Sequence, residues 1–361
     1  MVHRRSVLAG MAALGVSRAG AGFFDRADAV VSRTAKGSHV FASIGEAVAA
    51  APGDRRFRIR IDAGDWRERV TVATPLVELV GAGRDKTRIV FNASAGDLGP
   101  DGRPIGTFGT PTVTVRAADF KAGGLAIAND FDYVAHLPGP VPGDKTGASG
   151  AQAVALAVEG EADRALFDDV HLSGHQDTLF VDAGRSLFRQ STVKGSVDFI
   201  FGAGRSVFEE CEIVSRLRPG QAFNGYIAAP DTNRTQPYGM LFFGCRLTKE
   251  KGVAARSVAL GRAWRRTGSF ADGRYGDPDA VGAAAFVLCW MDDHIVPEGW
   301  YPMGYNAKGG GRLELQPEEA RLYEFGSTGP GAGPASARRR ILTSEQAKPY
   351  TALMVLDGWQ P

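Results

Sequence analysis

Gln176-Asp177-Thr178-Leu179 is followed by Gly195-Ser196-Val197-Asp198-Phe199-Ile200-Phe201-Gly202, and these two motifs place a pair of aspartates among large apolar residues. Asp177 lies 10 residues after Phe167, and Asp198 lies 10 residues after Phe188. The two aspartates therefore occupy the same phase of a repeat that is 21 residues long at this point of the chain.

The repeat continues at both aromatic and cysteine positions. Phe208 follows Phe188 after 20 residues, Phe242 follows after 34 more, and Cys211 and Cys245 each lie 3 residues beyond these phenylalanines. A β-rich, glycine-punctuated repeat of about 20 residues is typical of a solenoid in which each repeat forms one coil. Residues of equal phase then stack about 4.8 Å apart, the spacing of hydrogen-bonded strands. We therefore predict an all-β solenoid with the two aspartates as neighbours on one face.

The composition is that of a soluble globular protein. Hydrophobic residues make up 44% of the 361 residues and charged residues 23%, and no apolar run reaches the roughly 18 residues of a membrane span. A disordered chain and an integral membrane protein are therefore excluded. Three cysteines are too few for a disulfide scaffold. Cys211 and Cys245 could form one bond or remain stacked thiols, and Cys289 would stay unpaired.

The first 21 residues differ from the rest. Arg4 and Arg5 precede a short apolar run over residues 7–16, which ends in small residues around Ala21. This pattern predicts a twin-arginine-like export signal over residues 1–21 and a single solenoid domain over residues 22–361. Removal of the signal changes the formal charge from +2 to −1, so no nucleic-acid partner is expected. We expect a secreted or periplasmic protein; the alternative is an N-terminal segment that is retained.

Further segments are predicted to complete the solenoid. Ser43 and Glu46 form a capping-box pattern, which indicates a short helix within residues 41–51 that closes the open first coil. An insertion is expected within residues 217–238, and the C-terminal segment 344–353 is predicted to be helical and to pack on the stack. The polar loop 129–149 is a candidate for substrate contacts. The predicted strands are 58–62, 70–72, 77–80, 88–91, 113–115, 125–128, 151–156, 258–264 and 285–288.

Two stacked carboxyl groups cannot both ionise freely, because like charges disfavour each other and raise one pKa. One group can then act as an acid while the other stays anionic. Glycoside hydrolysis uses such a pair, and so does acyl transfer with a carboxylate nucleophile. Acyl transfer also builds negative charge on a carbonyl oxygen and needs donors there, each worth about 2.7–4 kcal/mol.

Four other side chains could complete an acyl-transfer site. Gln176 adjoins one aspartate and Gln152 lies on an earlier coil, so both can supply side-chain amides to an oxyanion. Arg262 could pair with the anionic aspartate, and Trp264 would offer a flat face to a sugar ring. Taken alone, Arg262 could equally be a surface cation, Trp264 a core residue and Gln152 a solvent-facing strand residue.

Templates for other chemistries do not fit. His171 and His175 are four residues apart on a strand-like coil, so the histidines show no metal-ligand spacing. The segment 147–150 lacks the spacing of a nucleophile elbow, and the segment 81–84 lacks the residues of a phosphate loop. Neither a metal nor an organic cofactor is expected.

Four motifs in order resemble the pectin methylesterase (pectinesterase) family. The segment 61–68 is similar to its N-terminal motif, with Trp66 where tyrosine is usual, and the tail at 329–332 and 358–359 is also similar. The resemblance covers roughly residues 35–361. The motifs are Gln152-Ala153-Val154-Ala155-Leu156, Gly174-His175-Gln176-Asp177-Thr178-Leu179, Gly195-Ser196-Val197-Asp198-Phe199-Ile200-Phe201-Gly202 and Leu260-Gly261-Arg262-Ala263-Trp264.

The resemblance implies a right-handed, single-stranded parallel β-helix and assigns roles to the candidate residues. It implies Asp198 as the nucleophile and Asp177 as the general acid and then base. Gln152 and Gln176 are implied as oxyanion donors, and Arg262 as the partner of Asp198. Substrate contacts are expected from Trp264, Phe199, His175 and Tyr226. Ala263 departs from the family pattern, which usually has proline, and could loosen the strand end that presents Arg262 and Trp264.

The implied activity is that of a carbohydrate esterase, which hydrolyses galacturonosyl methyl esters of pectin and releases methanol. Pectin is then the expected partner, and the enzyme is expected to be a monomer. Relatives with this fold act on other esters, so the fold alone does not fix the substrate. A pectin-binding protein, or a β-helix hydrolase with another ester or glycosidic substrate, is the alternative.

Overall fold

The computed structural model describes residues 27–137 and 150–361, and these residues form a parallel β-helix, as the sequence predicts. The export-signal prediction and residues 138–149 of the predicted substrate loop lie outside the described residues. One parallel sheet has seven strands: Val70–Val72, Val113–Val115, Leu156–Val158, Leu179–Val181, Val197–Gly202, Gly225–Pro230 and Val258–Gly261.

A seventeen-stranded sheet forms the other two sides of the solenoid, because the strands Lys121–Asn129 and Ala165–Ser173 continue around a corner and join them. The other strands of this sheet are Ala29–Val31, Val40–Phe41, Phe57–Ile61, Gly64–Arg67, Val77–Gly81, Thr87–Phe91, Arg185–Arg189, Thr192–Gly195, Arg205–Glu209, Glu212–Ser215, Met240–Phe243, Arg246–Lys249, Ala283–Val287, Trp290–Met291 and Arg321–Phe325.

The predicted phenylalanine repeat is confirmed as a stack of rings inside the solenoid. Strand register pairs Phe167 with Phe188, Phe188 with Phe208, Phe208 with Phe242, and Phe242 with Phe286. Ring centroids along this interior stack are 4.6, 4.8, 4.7 and 4.3 Å apart, and all five rings are fully buried. Each coil therefore adds one aromatic ring to a continuous core.

The corner between the two halves of the seventeen-stranded sheet has a repeated backbone conformation. Asp169, Gln190, Glu210, Gly244 and Leu288 have φ angles between 48° and 62°. A left-handed residue at this phase turns the chain sharply, and the residue after it points into the core. Those next residues include the three cysteines, which are buried free thiols. Of the two possibilities that the sequence left open, the structure has the stacked thiols.

Short helices occur near both ends of the described chain, where the sequence predicts them. Ile44–Ala49 is a helix with the Ser43 and Glu46 capping box, and its buried face covers the first coil. The carboxylate of Glu68 accepts hydrogen bonds from the first backbone N–H groups of this helix, at 2.9 and 3.0 Å. At the other end, the predicted helix 344–353 is divided into Ser344–Ala347 and Ala352–Val355, and the second of these packs on the outside of the seventeen-stranded sheet.

Several boundaries differ from the predictions. The segment 151–156 is a strand only from Leu156 onward, and the strand predicted over 258–264 ends at Gly261. The insertion divides into two loops, because the strand Gly225–Pro230 lies in its middle. Two antiparallel hairpins leave the repeat: Thr267–Phe270 with Gly273–Gly276, and Met303–Asn306 with Arg312–Leu315. The 3-10 helices are Thr107–Gly109, Val134–His136 and Pro317–Glu319.

Across the described part of the chain, no helix combines the length and the apolar character needed to cross a membrane.

Candidate active site

A cleft of about 280 Å³ opens beside the seven-stranded sheet, and the predicted polar residues meet there. Asp177 lies in the turn just before the strand Leu179–Val181, and Asp198 lies in the neighbouring strand Val197–Gly202, where Leu179 pairs with Ile200. Continuing this register places the two aspartates opposite each other. The side chains that line the cleft include six that the sequence singled out: Gln152, Gln176, Asp177, Asp198, Arg262 and Trp264.

The same local turn aims both aspartates into the cleft. Asp177 and Asp198 have φ angles of 61° and 47°, so each occupies the left-handed region that aspartate tolerates better than most residues. A glycine lies three residues before each aspartate. A Cβ on Gly195 would stand 2.1 Å from the Cβ of Phe199, so the residue after Asp198 can fold inward only over a glycine.

Arg262 holds Asp198 through a bidentate ion pair. Its Nε donates to Oδ1 at 3.0 Å and its Nη2 donates to Oδ2 at 2.8 Å. Both residues are only 6% exposed, so the pair is little screened by solvent. The Tyr226 ring lies against the guanidinium, with Cζ 3.8 Å from the ring centroid. Asp198 is therefore fixed in orientation, with both carboxylate oxygens bonded.

Among the described residues, Asp177 forms no such ion pair, and its pKa is shifted accordingly. Burial raises the pKa of Asp177 well above its usual value, the neighbouring Asp198 raises it further, and Arg262 opposes the shift. The cleft therefore contains one carboxyl group whose pKa is raised beside one carboxylate that is paired with a cation. This is the asymmetry that the stacked aspartates predict.

The two glutamines line the same cleft as the aspartates. Gln176 is 5% exposed, and Gln152 is half-buried just before the strand Leu156–Val158. A backbone hydrogen bond connects the two coils here, because the Ala153 N–H donates to the Gln176 carbonyl at 3.2 Å. Neutral amide groups in the same cleft as two carboxyl groups suit a reaction that develops negative charge on a carbonyl oxygen.

A family model described as Pectinesterase matches residues 28–358. The chain belongs to the pectinesterase family. Pectinesterase A of Dickeya dadantii (strain 3937) is 41% identical over 339 residues, which is 92% of each protein. The crystal structure of a pectin methylesterase in complex with a hexasaccharide has a TM-score of 0.88 at 40% identity, covering 93% of this chain and 99% of that one. Carrot pectin methylesterase has a TM-score of 0.71 at 26% identity, covering 92% and 94%. The predicted enzyme class is confirmed.

Three predicted substrate contacts of this pectinesterase do not reach the cleft. Phe199 is fully buried in the solenoid core, because the left-handed Asp198 changes which side of the strand the next residue takes. Tyr226 is 3% exposed and packs against Arg262 instead. His175 stacks on Tyr133 at 4.8 Å, outside the residues that line the cleft. Burial, together with the nearby charges of Arg216 and Arg218, lowers the pKa of His175 to about 3, so the imidazole is neutral.

The sequence did not identify several other residues that line or border the cleft of this pectinesterase. Phe201 shares its phase with Phe180, and this 21-residue spacing could have identified both rings. The Phe108 ring packs at a tilt against Phe180, with centroids 5.0 Å apart, but it comes from the 3-10 helix Thr107–Gly109, outside the repeat. Met303 comes from one of the hairpins. The remaining lining residues are Thr107 and Ala229.

Ala263 causes no visible loosening of the coil. The backbone N–H of Arg262 donates to the Ala228 carbonyl at 2.9 Å, and that of Trp264 donates to the Pro230 carbonyl at 2.8 Å. Both neighbours of Ala263 are thus held by the preceding coil. Within residues 27–137 and 150–361, no group of three or more His, Cys, Asp or Glu side chains is arranged to hold a metal ion.

Proposed function

We propose that this pectinesterase hydrolyses methyl esters of galacturonosyl residues in pectin through a covalent intermediate on Asp198. The observation that supports this most is the pairing of Asp198 with Arg262 beside Asp177, whose pKa is raised, in one cleft with two glutamine amides. A carboxylate held by a bidentate cation is oriented for attack, and a neighbouring carboxylic acid can donate a proton.

In the first half-reaction, a carboxylate oxygen of Asp198 attacks the ester carbonyl carbon and forms a tetrahedral intermediate. Gln152 and Gln176 donate hydrogen bonds to its oxyanion. When the intermediate collapses, the bond to the methoxy group breaks and Asp177 transfers its proton to that oxygen. Methanol leaves, and an acyl-enzyme anhydride on Asp198 remains.

In the second half-reaction, the roles of Asp177 reverse. As a carboxylate it takes a proton from a water molecule, whose oxygen attacks the acyl carbon. The anhydride bond breaks, Asp198 is released as a carboxylate and returns to Arg262, and the product is a free galacturonate carboxyl group. Asp177 ends the cycle protonated, so neither an oxidant nor a metal is consumed.

The aromatic side chains of the cleft supply the expected sugar contacts. Trp264 is half-buried and lines the cleft together with Phe201 and Phe108. Flat rings of this kind pack against the apolar faces of sugar units. The related pectin methylesterase that was crystallised with a hexasaccharide supports an oligosaccharide as the ligand of this cleft. We further propose that the protein is a monomer. On the basis of the export-signal pattern in residues 1–21, we propose that it acts in the periplasm or outside the cell.

The test is methanol release from methylated pectin by purified wild-type enzyme and by Asp198→Asn. We expect the variant to lose at least about 10³-fold in kcat, because the nucleophile is replaced by an amide. Asp168→Asn, which alters a half-exposed acid paired with Arg189 elsewhere on the solenoid, is the matched control.

The same reactions are analysed for chain cleavage. New reducing ends or unsaturated products without methanol would replace the esterase proposal with a glycosidase or lyase. Binding of pectin without any turnover would indicate a binding protein, and methanol release at the wild-type rate by Asp198→Asn would remove Asp198 as the nucleophile.

A further inference from the structure

Beside the cleft, Arg266 lies between two carboxylates. Its Nε donates to Oδ2 of Asp231, and its Nη2 donates to Oδ1 of Asp182. Its Nη1 donates to the other oxygen of Asp182 at 3.2 Å. All three polar nitrogens of the guanidinium are thus bonded to carboxylates, which fixes the plane of the group.

The coil repeat explains the spacing of the two acids. Asp182 follows the strand Leu179–Val181, and Asp231 follows Gly225–Pro230, two coils further along the seven-stranded sheet. Their backbones are therefore about 9.6 Å apart, twice the distance between adjacent strands. Ala203 occupies the equivalent position on the coil between them and donates its N–H to Asp182 Oδ1 at 3.3 Å. Its methyl side chain leaves room for a guanidinium that spans the gap.

The guanidinium also contacts the aromatic wall of the cleft. Its Cζ lies 5.0 Å from the centroid of the Trp264 ring and 6.0 Å from that of Phe180. On another side, Trp264 meets Phe201 edge-on, with centroids 6.0 Å apart. The indole therefore lies between an aromatic edge and a cation, while its backbone N–H is bonded to the Pro230 carbonyl.

Burial of Asp231, the less exposed of the two acids that bind Arg266, is energetically unfavourable. Asp231 is 3% exposed, and within the described residues its Oδ1 has no hydrogen-bond partner. Burial raises the pKa of Asp231 to about 6, although Arg266 opposes the shift. An apolar pair of similar size is commonly at least as stabilising as a buried ion pair, so stability alone does not account for these residues. What they provide is a fixed direction for Arg266.

We infer that Asp182, Asp231 and Arg266 form a clamp that positions the Trp264 indole for contact with the sugar chain. This inference rests on the proposed function, in which Trp264 stacks on a sugar unit. None of the three clamp residues lines the cleft, so they are positioning residues rather than catalytic ones. The reaction centre at Asp177 and Asp198 is held separately, by Arg262.

The experiment compares Arg266→Met with the wild type on methylated pectin. Methionine keeps an unbranched apolar stem of similar length but loses the fork that spans the two acids. We expect KM to rise about five- to tenfold and kcat to stay within about twofold, because a loosened indole weakens sugar contact without altering the carboxyl pair. Arg234→Met is the control; it removes an exposed arginine that pairs with Asp279, and KM should not change.

A double-variant cycle distinguishes a clamp from general stabilisation. In a Trp264→Ala background, Arg266→Met should change KM little further, since the indole on which it acts is gone. An equal rise of KM in both backgrounds, or a loss of thermal stability with unchanged KM, would overturn the clamp. If Arg266→Met does not fold, Asp182→Asn tests the more exposed arm and should raise KM in the same direction by a smaller factor.

Failure of the proposed function gives a different result. A wild-type enzyme that binds methylated oligogalacturonate without releasing methanol would refute the esterase. The clamp would still be tested by the affinity for that oligosaccharide, measured by calorimetry for the wild type, Arg266→Met, Trp264→Ala and the double variant. Affinity that depends on Arg266 only when Trp264 is present supports the clamp, and affinity that is independent of Arg266 refutes it.

Discussion

The interior stack of phenylalanines follows the repeat throughout, whereas in the aromatic row of the cleft only Phe180 and Phe201 do so, and the two sets of rings have different surroundings. The interior stack runs from Phe167 to Phe286 with every ring fully buried and parallel to its neighbours. The row of Phe108, Phe180, Phe201 and Trp264 has spacings of 5.0, 4.7 and 6.0 Å, and Phe108 is 53% exposed. The repeat thus stacks aromatic rings on two different sheets: those of the seventeen-stranded sheet fill the core, and those of the seven-stranded sheet lie beside the cleft.

The two ladders also differ in what bounds them. Coils above and below enclose each interior ring, whereas both ends of the cleft row come from outside the regular repeat. Phe108 belongs to a 3-10 helix, and Trp264 lies beyond the end of its strand at Gly261 and contacts Arg266. The interior is therefore over-determined by its neighbours, while the position of the cleft row depends on a few loop contacts and ion pairs.

Phe208→Ala tests the interior side of this comparison and has the largest expected effect. Phe208 is fully buried between Phe188 and Phe242, so its removal leaves a cavity that rigid coils cannot fill. We expect the free energy of unfolding to fall by about 3–5 kcal/mol, as measured by urea denaturation. The kcat/KM of the remaining folded enzyme should not change. A large loss of kcat/KM with normal stability would mean that the interior stack participates in function.

Asp177→Asn tests whether the cleft contains groups that reduce stability. Because the pKa of Asp177 is raised in the folded state, its proton stabilises the fold fully below pH 3.8 and this stabilisation is lost as pH rises through the folded pKa. Each unit by which the pKa is raised corresponds to about 1.4 kcal/mol. We therefore expect the inactive Asn variant to be more stable than the wild type at pH 7, measured by denaturation, and the difference to vanish near pH 3.

Asp168→Asn is the control for that titration. It alters an acid in a half-exposed ion pair with Arg189, so its effect on stability should stay within about 1 kcal/mol. If Asp177→Asn gave the same stability difference at pH 3 and pH 7, the raised pKa of Asp177 would be contradicted. The assignment of Asp177 as the proton donor would then lose its physical basis.

The sequence predicted the parts of the molecule that follow the repeat. Equal phase was enough to place Asp177 beside Asp198, and to predict the ring stack and the phase of Cys211 and Cys245. Phe199 was wrongly predicted to contact substrate. The left-handed conformation of Asp198 turns Phe199 into the core, and this backbone conformation cannot be recognised from the sequence pattern. Phe108 and Met303 lie outside the repeat, so no spacing points to them.

The roles of Arg262 and Trp264 came from motif resemblance rather than from the period. The strand ends at Gly261, before either residue, so no alternation pattern governs their directions. The Arg266 clamp could not be predicted for a related reason. Its acids are two coils apart, and only the three-dimensional register brings a single guanidinium between them.

Ala263→Pro has the smallest expected effect, because it changes only the backbone rigidity next to Trp264, at the end of the aromatic row of the cleft. Among the described residues, the Ala263 N–H donates no hydrogen bond, so proline removes none, while the flanking N–H groups keep theirs. Proline restricts the unfolded chain, and we expect the free energy of unfolding to rise by about 0.4–1 kcal/mol. The kcat/KM should stay within about twofold of the wild type, because the coil already holds Arg262 and Trp264. A gain in kcat/KM without a gain in stability would show instead that the backbone at Ala263 is too flexible for optimal activity. Backbone rigidity, as well as the Arg266 clamp, would then determine the position of the Trp264 indole.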